Sequence, residues 1–109
     1  MKIVNLTRHT IVVMGGSDGD REIAPSGEQA RLATSEDFVE EIDGIPFYRQ
    51  REGRVVGLPA QSPGTVYIVS STVRRELPER GDLVSPGYPI RSKDGRQQGC
   101  RGLVYGARK

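Results

Sequence analysis

Apolar residues in this chain fall in short clusters separated by Gly, Pro and Asp. The most apolar cluster is Val66-Tyr67-Ile68-Val69, preceded by the turn pair Pro63-Gly64. β-Branched and aromatic residues favour a pleated strand. A run this short, bounded by turn residues, reads as a strand buried on both faces. Ser70, Ser71 and Thr72 follow, and their hydroxyls can accept from the free N–H groups of a helix start. Pro78 ends that helix, because the residue before a proline resists the α region. The expected central element is therefore a strand feeding a helix of about two turns.

The flanking pattern is short strands throughout. Met1–Leu6 and Thr10–Met14 read as strands interrupted at Thr7-Arg8-His9, and Gly15–Gly19 turns the second into a return arm, Asp20–Ala24. After Pro25-Ser26-Gly27, the stretch Glu28–Ala33 alternates like a half-buried strand. Thr34–Asp43 is acidic; Phe38, Val39 and Ile42 could line a helix, but Asp43-Gly44 before Ile45–Arg49 is a hairpin signal and favours an exposed strand. Glu52-Gly53 turns into Arg54–Leu58, and Pro59–Gly64 is a loop. Leu83-Val84 is expected as a short strand closed by Pro86-Gly87. Lys93–Arg96 forms another Asp-Gly turn, Gln98–Tyr105 the return strand, and Gly106–Lys109 a fraying end.

Many short strands, hairpin turns and one helix predict a mainly β fold, a small closed or partly open antiparallel β-barrel spanning residues 1–109 as one domain. Composition narrows this. Hydrophobic residues make up 35% of 109, with no Trp and two Phe, so the core is thin and built from Val, Ile and Leu. The lone Cys100 excludes an intramolecular disulfide and a multi-cysteine metal site. Neither a signal-peptide core nor a membrane-length apolar run is visible, which points to the cytoplasm, with no membrane partner. The net charge of +2 hides an asymmetry: residues 1–43 carry a net −5 and residues 44–109 a net +7. Two halves that attract within one fold explain it as well as an acidic or nucleic-acid partner does. Six aromatics in all leave little for base stacking, so nucleic acid ranks last among partners.

Several motifs recur together: Lys2-Ile3-Val4-Asn5-Leu6-Thr7-x-His9, Ile23-x-Pro25-Ser26-Gly27-x-x-Ala30-Arg31, Gly57-Leu58-Pro59, Gly64-Thr65-x-Tyr67-Ile68-Val69-Ser70, Arg80-x-Asp82-Leu83-Val84-x-Pro86 and Gly99-Cys100-Arg101. As a set they resemble a family of small uncharacterised proteins encoded by tailed phages and by actinobacteria and related bacteria. The resemblance covers nearly the whole chain. It implies a phage or prophage origin, and it transfers no catalytic role, because the family carries no established activity. The chain departs from the pattern at Arg8, where Asn-Leu-Thr-Pro-His would place a proline that fixes the turn before the histidine.

Candidate chemistry is sparse. Asn5, Thr7 and His9 share one face of an extended chain by the two-residue period, giving a row of amide, hydroxyl and imidazole. The same groups readily satisfy backbone in a turn. Arg80 and Asp82 flank Gly81 and can pair with each other, or Arg80 can take a phosphate or carboxylate. Ser70 and Ser71 can cap the helix or face an anion. A Cys100–His9 nucleophile pair needs a geometry that sequence does not supply. No phosphate-binding loop or metal-ligand spacing is present, and no cofactor is expected. The resulting expectation is a non-enzymatic accessory protein that binds a small anionic, nucleotide-like ligand or a protein of the phage or host, through Asn5, Thr7, His9, Ser70, Ser71, Arg80 and Asp82, and that forms a homo-oligomer. The alternatives are a structural or assembly oligomer of a phage particle, and a small hydrolase using His9 with Cys100 or Asp82.

Overall fold

The computed structural model describes residues 1–51 and 53–106. In chain order the strands are β1 (Lys2–Asn5), β2 (Ile11–Gly16), β3 (Gly19–Ile23), β4 (Arg31–Leu32), β5 (Ser35–Ile42), β6 (Ile45–Arg51), β7 (Val55–Val56) and β8 (Thr65–Ile68). Helix α1 (Ser71–Glu76) follows, then β9 (Leu83–Arg91) and β10 (Gln97–Tyr105). Strand accounts for 53% and helix for 6%, so the fold is mainly β as the apolar clusters predict. Among the described residues no helix is long and apolar enough to cross a membrane.

Six strands form one sheet in the order β1-β8-β9-β10-β2-β3. It curls into an open half-barrel. Two features depart from a closed antiparallel barrel. The sheet is mixed: β1 runs parallel to β8, β8 to β9 and β10 to β2, whereas β9/β10 and β2/β3 are antiparallel. It is also open, with β1 and β3 as edges. The reason lies in the connections. Long excursions carry the chain from β1 to β8 and from β2 to β10, and only such crossovers join strands that run the same way.

The central element folds as its composition dictates. Tyr67, Ile68 and Val69 are all buried. Ser70 is the N-cap, in an extended conformation, and its Oγ accepts from the Val73 N–H at 3.2 Å. Leu77 closes the helix before Pro78. Val73 then drops from α1 into a cluster with Leu6, Ala30, Tyr67, Val69 and Leu83, which is the main core. Ile68 and its register partner Val84 alternate to the opposite face, where they too are buried.

Two strands depart most from the sequence reading. Glu28–Ala33 contributes only β4, because its partner β7 offers just two residues. Leu83-Val84 does not stop at Pro86-Gly87; β9 runs on through Pro86 and Pro89 to Arg91. Past Val84, β9 no longer pairs with β8, so its outer edge needs no N–H donors and tolerates both prolines. The Lys93–Arg96 turn forms as expected, with Gly95 at φ 85°. The Glu52 half of the Glu52-Gly53 turn, and residues 107–109 of the expected fraying end, lie outside the described residues.

Strands β5 and β6 form a separate two-stranded hairpin. Asp43 and Gly44 take φ values of 52° and 78°, the pair of positive angles that a tight two-residue hairpin turn needs. Every residue of both strands is exposed. The hairpin projects as an arm, and the whole chain measures 57 × 40 × 31 Å. Its radius of gyration is 17.1 Å, against about 13 Å for a compact chain of this length.

Candidate functional site

The polar row at the N-terminus forms only in part: Asn5 turns inward, Thr7 is half-buried and His9 is exposed. β1 carries Asn5 into the core edge, where it is 1% exposed. Its Oδ1 accepts from the Thr7 N–H at 2.9 Å and from the Thr7 hydroxyl at 2.7 Å. Its Nδ2 donates to the carbonyls of His9 at 2.8 Å and Ile23 at 2.9 Å. Asn5 thus ties the turn after β1 to the end of β3. With both donors and both acceptor directions used, its amide has no capacity left for a ligand. The Arg8 turn closes this way without the proline of the resembling pattern. His9 stays exposed and contributes its backbone to the network.

Arg80 and Asp82 pair with each other. Arg80 Nε donates to Asp82 Oδ1 and Nη2 to Oδ2, both at 2.8 Å, a bidentate fork. Nη2 also donates to the Pro59 carbonyl at 3.1 Å. The pair therefore clamps the loop before β8 to the turn before β9. The hydrogen bonds from Arg80 hold the Asp82 carboxyl below its ordinary range, outweighing burial, which acts the other way. The same bonds push the Arg80 guanidinium up. A second buried polar link runs from the helix, where Arg74 Nε donates to Ser85 Oγ at 2.9 Å.

Three of the sequence-selected residues do meet. Thr7, His9 and Ser70 line one shallow cavity of about 230 Å³, together with Arg8 and Arg31. Asn5, Ser71, Arg80 and Asp82 are not part of its wall. The Ser70 hydroxyl there is occupied as the helix cap. Neither arginine was a site candidate from the sequence, where Arg8 stands out only as a departure from the resembling pattern and Arg31 only as part of a motif. A second hollow of about 430 Å³ brings His9 and Cys100 to one wall. Cys100 is 2% exposed, and its thiol donates to the Val12 carbonyl at 3.5 Å rather than to the imidazole. Among the described residues no group of three His, Cys, Asp or Glu gathers as a metal set.

The most unusual surface is the arm. Phe38, Val39, Ile42, Ile45, Phe47 and Tyr48 are 45–60% exposed. Phe38 and Tyr48 are register partners and meet edge to face, with centroids 6.0 Å apart. Past the irregularity at Val39, Ile42 pairs with Ile45, and Phe47 with Glu40. Phe47 and Tyr48 are neighbours in one strand and so point to opposite faces, which makes both faces of the arm apolar. Around them stand Glu36, Asp37, Glu40, Glu41 and Asp43, with Asp37 bridged to Arg51 at 2.5 Å. The sequence did carry a signal for this: adjacent apolar pairs, Phe38-Val39 and Phe47-Tyr48, break the strict alternation of a strand that buries one face.

No family model, curated protein or solved structure matches this chain.

Proposed function

We propose that this chain is a non-enzymatic binding module that acts by assembly with protein, and that the β5–β6 arm is its contact element. The observation that supports this is the arm itself. Six large apolar side chains stand exposed on an element without a core of its own. Monomeric proteins seldom leave so many large apolar side chains clustered in water, and such exposure marks an interaction site. An isolated two-stranded hairpin is also marginal in water, so the arm gains its stability on docking. The two groups that would partner His9 in a hydrolase are otherwise engaged, Cys100 with Val12 and Asp82 with Arg80. A phage or prophage setting, which the sequence resemblance implies, suits an assembly part.

In-cell photo-crosslinking tests the reading. A photoreactive residue at Phe47 should yield a covalent adduct with protein, whereas one at Arg75 on the exposed side of α1 should not. Absence of any adduct at position 47 refutes it.

A second reading rests on the 230 Å³ cavity, where Thr7 and His9 sit with Arg8 and Arg31. Two guanidinium groups beside a hydroxyl suit a small phosphate-bearing, nucleotide-like anion. Titration calorimetry with nucleotides and inorganic phosphate tests it. Binding that vanishes in Arg31→Ala supports the site, and no heat with any of these anions removes it.

A further inference from the structure

We infer that the partner of the arm is a second copy of this chain, and that the arm of one copy seats on an apolar hollow in the sheet of the next. The inference rests on the reading of the arm as the contact element. The hollow has a volume of about 280 Å³ and is lined by Ile3, Val13, Ile23 and Leu103, with Arg21 and Asp18 also in its wall. Ile3 lies in the edge strand β1 and is 36% exposed. The apolar hollow and the two-faced apolar arm are each other's missing cover.

Charge selects between occupants. Residues 35–51 carry five carboxylates against Arg49 and Arg51, a net of −3. The chain as a whole is +2, so the remainder carries +5. An acidic arm is repelled by nucleic acid and by anionic lipid surfaces, and is drawn to a basic protein body. Another copy of this chain supplies that body: its net +5 outside the arm attracts the arm at long range, and the apolar lining of the hollow, where Arg21 and Asp18 balance, takes the arm's apolar side chains. The arm's own body does not take it up: β5 and β6 form extensive contacts only with each other. Arm and hollow are different patches, so the contact is head-to-tail. Repeated, such a contact closes a ring or extends a filament.

The test uses the purified full chain and follows its mass by sedimentation and native mass spectrometry. Expected are species at whole multiples of the chain mass, weakening as salt is raised, because part of the attraction is between exposed charges. The arm variant Phe38→Asp/Phe47→Asp and the hollow variant Ile3→Glu should each be monomeric, with circular dichroism unchanged. Mixed one to one, they should form a heterodimer, since one intact arm still meets one intact hollow. Should Ile3→Glu fail to fold, Arg21→Glu in the same wall takes its place, with weaker association expected. Failure of the mixture to associate, while the wild type does, overturns the head-to-tail pairing. A wild type that stays monomeric at its highest soluble concentration overturns self-assembly. If Phe47 nonetheless crosslinks to a different protein in cells, the arm remains the contact element and only the identity of its partner falls.

Discussion

Asp82 is 5% exposed and held by two charge-assisted hydrogen bonds from Arg80. Its carboxyl titrates below its ordinary 3.8 in the folded chain. Between those two values the unfolded chain binds the proton more tightly, so the pair's contribution is complete above about pH 4 and is lost as pH falls through the folded pKa. Asp82→Asn should cost about 2 kcal/mol at neutral pH and flatten the acid side of the stability profile, as measured by urea unfolding across pH. Asn5→Ala should cost more, about 3 kcal/mol, because it strands the Thr7 N–H and the His9 and Ile23 carbonyls at once; thermal unfolding reads this directly. Both sets of residues were legible in the sequence as polar groups spaced for one face or one pair. What was not legible was their direction. The Ile23 carbonyl that fixes Asn5 arrives from eighteen residues away, and only the packed fold brings it there.

At the scale of elements, the strand-then-helix unit reads directly from Val66 to Pro78, since capping, β-branching and proline all act locally. Ser70→Ala should therefore cost about 1 kcal/mol through the lost cap. The hairpin turn is equally local. Gly44 sits at φ 78° with open space around an added Cβ, so Gly44→Ala meets no neighbour and is opposed by backbone strain alone, about 1–2 kcal/mol. Amide exchange should then quicken across residues 35–51 and stay unchanged in β8 and β9. The length of β9 was hidden because proline argues against a strand, and that argument lapses where the outer edge lies beyond a partner's reach.

At the scale of the whole molecule, the arm and the body are separable. The Ala33 N–H donates to the Arg54 carbonyl at 3.0 Å, so the two ends of the arm are already joined at its root. Replacing residues 35–51 by a short Gly-Ser turn should leave the melting temperature within about 5 °C of the parent and abolish association. That the chain is mainly strand was legible in the sequence; strand order and the parallel pairings were not, because the period of a strand says which face is buried and nothing about its neighbour. The projection of the arm was hidden for a similar reason, since the pattern shows two apolar faces but not what lies against them.

The order of strands also sets a timetable. β1 leaves the ribosome before the other strands, yet Lys2 pairs with Thr65, and Val13 of β2 meets Cys100 of β10. The first strand must wait for most of the chain, and the β2–β3 hairpin for nearly all of it. Non-local pairings of this kind slow folding, because distant segments must be brought together before any contact rewards them. The acidic arm, built only from neighbours, can form while the rest waits. During synthesis the β2–β3 hairpin and then the arm can each form from neighbours alone, and nascent chains held close together on one message would meet by their arms before their bodies are finished.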